Sequence, residues 1–192
     1  TYTWVDLEAC TFDGRVEVDL DPIPASETAI TSITLNAIDL AVRSVSLATK
    51  TTNGGGGTTL RPTTITTNPD DQTLCFTFDD ALPTQQNLKL TIAFAGRLNE
   101  KLAGFYKSTV QPGRVMGVTQ FEATDARRAL PCWDEPARKA TFRVSITTSP
   151  KFTVLCNTKP EAVSMRRGTS PAGTPRDECT WRFARTPIMS TY

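Results

Sequence analysis

The sequence predicts an all-β fold, a sandwich or saddle of mostly antiparallel strands with one short helix. Three observations carry that expectation. Short segments alternate polar and apolar residues with a period of two, as at 15–21 (RVEVDLD), 72–78 (QTLCFTF), 87–94 (NLKLTIAF) and 139–147 (KATFRVSIT). That period marks half-buried strands. Turn signals rich in Pro, Gly, Asp and Asn separate the segments at short intervals, as in sandwiches. Only residues 126–130 supply helix formers, roughly two turns of them. Pro131 and Pro136 forbid the helix to continue.

Taken in order, residues 2–7 (YTWVDL) alternate weakly and form a first strand. Asp13-Gly14 reads as a tight turn, because glycine supplies the positive φ of a hairpin. Residues 15–21 are the next strand, ended by Pro22 and Pro24. Between 30 and 47 the apolar positions Ile33, Leu35, Ile38, Leu40, Val42, Val45 and Leu47 keep a period of two. The period slips near Asn36-Ala37, which predicts two or three strand pieces joined by a bulge or kink. Residues 49–71, with four consecutive glycines and many threonines, cannot bury enough apolar surface to offset their ordering. They are expected to form a flexible insertion or hairpin tip.

Strands follow at 72–78, with Leu74, Phe76 and Phe78 on one face, and at 87–94. Residues 96–108 read as a loop that turns on Gly104 and offers Phe105 and Tyr106 to the core. Residues 116–121 are extended, with Gly117 permitting close backbone approach. Thr124 is the expected helix cap, followed by Asp125 in the first turn. Residues 139–147, 152–157 and 178–185 are further strands, and the polar, Gly/Pro-rich stretch 165–177 is a loop.

Composition excludes several functions. A 192-residue chain with 39% hydrophobic residues can pack one core, so residues 1–192 are expected to form a single β domain. The formal charge of +1, from 21 basic and 20 acidic residues, gives no electrostatic case for nucleic acid or an anionic membrane surface. No apolar run approaches the ~18 residues of a membrane span, and no charged-then-apolar leader is visible at Thr1. Cys10, Cys75, Cys132, Cys156 and Cys179 are odd in number and widely spaced, without a Cys-x-x-Cys pair. Free thiols and the lack of any Asn-x-Ser/Thr site point to the cytoplasm. The chain contains no histidine. Ser-His-Asp and Cys-His nucleophile systems and a His-Glu-x-x-His zinc site are therefore excluded within it. No catalytic or metal-ligating residue is assigned.

The chemistry-bearing stretch is 117–146 (GVTQFEATDARRALPCWDEPARKATFRVSI). Gln120 and Glu122 sit where a strand ends and a helix starts, a rigid and partly exposed position of the kind binding sites use. A carboxylate there can recognise an ammonium group. At about 4 Å and an effective dielectric near 20 the attraction is about 4 kcal/mol before desolvation. Glu122 could equally pair with Arg127 or Arg128, and Gln120 could satisfy strand backbone. In residues 131–136 (PCWDEP) the adjacent Asp134 and Glu135 point in different directions and form no acid/base dyad. That segment reads as a packed corner in which Asp134 or Glu135 satisfies backbone or arginine groups.

Gln120-Phe121-Glu122, Asp125-Ala126-Arg127-Arg128 and Pro131-Cys132-Trp133-Asp134-Glu135-Pro136 closely resemble the signature of the N-terminal domain of the gluzincin zinc aminopeptidases. That family includes the puromycin-sensitive and alanyl aminopeptidases. Residues 96–108 are similar to the family's Gly-x-Leu-Asn-x-x-Met-x-Gly-Phe-Tyr-x-Ser pattern, with Leu102 where Met is usual. The resemblance implies a domain of a larger metallo-aminopeptidase, with zinc, general base and catalytic domain on residues outside this chain. It implies that Gln120 lines the pocket for the first side chain of a peptide substrate and that Glu122 binds the free α-amino group. The matching glutamate in some members precedes a cis bond, so the resemblance admits a cis Glu122–Ala123 peptide. The competing reading is a stand-alone β-sandwich module that binds protein or carbohydrate through its edges and loops.

Overall fold

A computed structural model describes residues 1–25, 29–49, 58–169 and 175–192. Thirteen strands are assigned among them: β1 Tyr2–Asp6, β2 Thr11–Leu20, β3 Ser32–Asn36, β4 Ala41–Thr49, β5 Thr59–Leu60, β6 Thr64–Asn68, β7 Thr73–Thr77, β8 Leu88–Arg97, β9 Gly104–Gln111, β10 Arg114–Gln120, β11 Ser145–Thr148, β12 Pro160–Thr169 and β13 Pro175–Phe183. The fold is all-β, as the alternation predicts.

Eight strands form one sheet in the order β12-β13-β11-β1-β2-β8-β4-β5, and three form a second, β3-β7-β6. β9 and β10 make a separate two-stranded ribbon. All pairings are antiparallel except β1 with β11. The core joins one face of each larger sheet. Leu88, Leu90, Ile92 and Phe94 of β8 share it with Val45 and Leu47 of β4, Ile33 and Leu35 of β3, and Leu74 and Phe76 of β7. The slip at Asn36-Ala37 is where the chain leaves the three-stranded sheet and crosses to the large one.

Several expectations change. Asp13-Gly14 is not a turn but the middle of β2. The reversal occurs at residues 7–10 instead, with Cys10 at φ 54°. Gly14 is needed because the Phe94 ring lies across it. A Cβ there would stand 2.3 Å from Phe94 Cζ. Residues 104–108 are strand, not loop, although Gly104 does take φ +69° and Phe105 does reach the core. The expected helix shrinks to one 3-10 turn, Ala126–Arg128, and neither Thr124 nor any other side chain caps it. Too few helix formers precede Pro131 to propagate a longer helix.

Within 49–71, Thr59–Leu60 and Thr64–Asn68 are strands, β6 being an exposed edge of β-branched threonines and Ile65. The glycine run at 54–57 lies outside the described residues. Residues 141–144 and 152–157 are assigned to no strand, although Val144 O accepts from Phe183 N–H and Phe142 O from Thr186 N–H, both at 2.9 Å. β11, into which 141–144 leads, already has β1 on one side and β13 on the other. The stretch 165–177 is no loop where it is described. It belongs to the hairpin β12–β13, with Met165 opposite Cys179 and Arg167 opposite Asp177. β12 is a sheet edge whose residues 160–167 are exposed, so its polar composition is compatible with a strand.

Candidate functional site

The site is built at the end of the β9–β10 ribbon. Gln120, the last residue of β10, stands opposite Gly104, the first of β9. The ribbon is rooted in the core by Phe105, whose ring lies 5.1 Å from that of Phe12. Gly117 lets Leu7 approach, since a Cβ there would stand 3.0 Å from Leu7 Cδ2. Beyond Gln120 the backbone turns sharply, and Asp125 N–H donates to Phe121 O at 2.8 Å. The Glu122–Ala123 peptide is cis. Gln120 and Glu122 are both exposed, with half-buried Phe121 between them. Among the described residues Glu122 carries no ion pair.

The two arginines that could have neutralised Glu122 are engaged elsewhere. Arg128 Nε donates to Asp125 Oδ1 at 2.8 Å, and its guanidinium lies 3.8 Å from Asp39. The Arg128 side chain also covers Gly104, where a Cβ would meet Arg128 Cβ at 2.4 Å. Arg127 turns inward to Asp134, whose side chain is fully buried. Asp134 Oδ2 accepts from Arg127 N–H at 3.1 Å and from Arg127 Nε at 3.0 Å. Arg127 also donates to Asp134 O at 3.2 Å and to Gln72 Oε1 at 3.0 Å. Asp134 N–H donates to Asn36 Oδ1 at 3.1 Å, and Asp134 Oδ1 accepts from Thr191 Oγ1 at 2.7 Å. The corner 131–136 is thus architectural, with Asp134 as its acceptor. Asn36, Gln72 and Thr191 were not singled out from sequence. Their links to Arg127 and Asp134 span 98, 55 and 57 residues of chain.

The arrangement presents a solvent-facing carboxylate and an amide on a braced turn. Burial, reinforced by the Asp134 charge, pushes the Cys132 thiol up to about 12. Its thiolate is then scarce at neutral pH. We expect Cys132 in the native protein to react with iodoacetamide at pH 8 about three orders of magnitude more slowly than after unfolding. Mass spectrometry after timed quenching reads this, and equal rates would show that the corner does not bury the thiol. Among the described residues no three Cys, Asp or Glu side chains converge to hold a metal, and the sequence has no histidine. These residues do not fit the zinc that the resemblance implies. A cleft of about 1230 Å³ lies elsewhere, against Arg15, Glu17, Lys89, Trp133, Arg143 and Arg185, and excludes Gln120 and Glu122. Its lining mixes charged side chains with Val16, Val18 and Trp133 and, among the described residues, holds no convergent polar cluster, so the exposed pair is the better candidate.

The family model described as the peptidase M1 N-terminal domain matches residues 3–192. The chain belongs to that family. It is 38% identical over 190 residues to Aminopeptidase M1-A of Oryza sativa subsp. japonica, covering 97% of this chain and 20% of the relative. It is 39% identical over 155 residues to Aminopeptidase M1 of Arabidopsis thaliana, covering 79% and 17%. With the thyrotropin-releasing hormone-degrading ectoenzyme of Homo sapiens it shares 34% over 195 residues, 97% and 16% of the two chains. This M1 N-terminal domain therefore spans about a fifth of the length of the curated relatives it matches.

Proposed function

We propose that residues 1–192 act as one β domain of a longer zinc-dependent aminopeptidase and hold the amino end of its peptide substrate. Glu122 accepts the substrate's α-ammonium group, and Gln120 faces its first side chain. The supporting observation is a carboxylate that is exposed, has no ion pair among the described residues, and sits on a turn braced by Arg127 and Arg128. Membership of a peptidase family supports a peptide as substrate, and the reading takes a catalytic domain of the same polypeptide as partner. Metal and nucleophile belong to that longer polypeptide. This domain contributes recognition, which makes the enzyme act from the chain end.

A charge-assisted hydrogen bond is worth about 1.5–3 kcal/mol, so Glu122→Gln in the longer enzyme is expected to raise KM about 10- to 100-fold. The same variant should lose most of the preference for free over N-acetylated aminoacyl anilides. Steady-state kinetics on the two substrates checks both, and an unchanged KM with intact discrimination sinks the assignment.

The compartment we infer is the cytoplasm, on five free cysteines and the missing glycosylation acceptor. The human relative is named an ectoenzyme, so thiol labelling of protein from its source decides the point.

A further inference from the structure

The residue at which the site loop meets the rest of the molecule is Asp134. Its side chain is fully buried, yet it belongs to neither the loop that carries Glu122 nor the strands that form the core. One carboxylate oxygen accepts from the backbone and the guanidinium of Arg127, five residues after Glu122. The other accepts from Thr191 at 2.7 Å. Thr191 ends a strap, residues 184–191, that runs along residues 134–142. Ala140 and Met189 exchange both backbone bonds at 3.0 Å, Thr186 N–H donates to Phe142 O, and Lys139 Nζ donates to Ser190 Oγ at 2.7 Å. Ser190 Oγ in turn donates to Pro136 O. The loop is tied on its other side, where Ile38 N–H donates to Arg127 O at 2.9 Å.

Loop and strap therefore share one buried acceptor. We propose that Asp134 is the positioning residue of the Glu122 loop, fixing residues 121–129 against the strap 184–191. Asp134 touches no substrate atom. It acts through Arg127, whose backbone and side chain it holds together, and so sets where the turn projects Glu122. A carboxylate is suited to this because its two oxygens can accept from two partners at once, and the Asp134 side chain is itself fully buried. The proposal rests on the amino-end reading of Glu122 for its functional consequence, but its structural half stands independently.

The test has two arms. In the 192-residue chain, hydrogen exchange is followed for Asp134→Asn and for the milder Thr191→Val, which keeps the buried ion pair should the first variant fail to fold. The loop amides that donate locally are Asp125, Arg128 and Ala129, with Leu130 just beyond them. We expect these, and Met189 in the strap, to exchange about tenfold faster relative to β8 amides in Asp134→Asn, and a few-fold faster in Thr191→Val. Acceleration that is uniform across β8, loop and strap overturns the proposal, because a merely structural residue acts through global opening.

The second arm is kinetic and uses the longer enzyme. There, Asp134→Asn should raise KM about threefold or more with kcat little changed, and Asp134→Asn/Glu122→Gln should be no worse than Glu122→Gln alone. Additive losses overturn the positioning role while leaving the Glu122 reading intact. If Glu122→Gln itself leaves KM unchanged, the amino-end reading fails, and the exchange pattern still decides whether Asp134 positions the loop.

Discussion

Truncating Phe94 to alanine is expected to cost about 3–5 kcal/mol, a large part of the 5–15 kcal/mol that holds a typical domain together. Phe94 is 1% exposed, and its ring meets that of Phe12 edge to face, with centroids 6.4 Å apart and planes at 80°. The two rings are placed by a reciprocal exchange between neighbouring strands. In the β2–β8 ladder Phe12 stands opposite Gly96, and Gly14 stands opposite Phe94. Each ring lies across the glycine facing it, and a Cβ at either glycine would come within 2.3 Å of the ring. Backbone and ring thus fill the space that two side chains would contest. Gly14→Ala should accordingly destabilise by about 1–3 kcal/mol, overpacking outweighing the backbone entropy that alanine recovers. Combined with Phe94→Leu it should cost less than the sum of the two, since the sites share one space. Urea unfolding with an unchanged m-value reads these numbers. A Gly14→Ala protein as stable as the parent would mean that the ring moves aside freely.

The same pairs show what a linear reading of this chain could and could not supply. The alternation at 15–20, 73–77 and 88–94 sufficed to place β2, β7 and β8, because burial on one face imposes a period of two regardless of partner. The break at Asn36-Ala37 was legible for the same reason, as a loss of period where the chain changes sheets. Asp13-Gly14 misled because its local preference is a turn, and the decisive neighbour, Phe94, lies 80 residues away in sequence. The β12–β13 hairpin escaped notice because an edge strand needs little apolar patterning. At the site, the positions of Gln120 and Glu122 at a strand end followed from local text, and so did an acceptor role for Asp134 or Glu135, which the fold assigns to Asp134. What closes on Asp134 did not. Asn36 and Thr191 are ordinary polar residues until the fold brings them within 3.1 and 2.7 Å of it.

Arg127→Ala is the second substitution expected to be severe, at about 3–5 kcal/mol, because it strips the counter-charge from a buried carboxylate. Arg127 is 11% exposed and Asp134 not at all, so solvent cannot replace the guanidinium. The loss extends past the charge. Asp134 O and the half-buried Gln72 Oε1 each lose a donor, and an acceptor left unsatisfied away from water costs about 1–3 kcal/mol on its own. Arg127→Lys should recover only part, since one ammonium cannot reach Asp134 Oδ2, Asp134 O and Gln72 together as the planar fork does. The decisive comparison is Arg127→Ala with Arg127→Ala/Asp134→Asn. If the cost is chiefly a stranded charge, neutralising Asp134 should restore about 1–2 kcal/mol, although the second substitution removes a further native group. If the double variant is instead less stable than Arg127→Ala, the carboxylate contributes through the hydrogen bonds it accepts from the Arg127 backbone N–H and Thr191 Oγ1, and the charge itself is incidental.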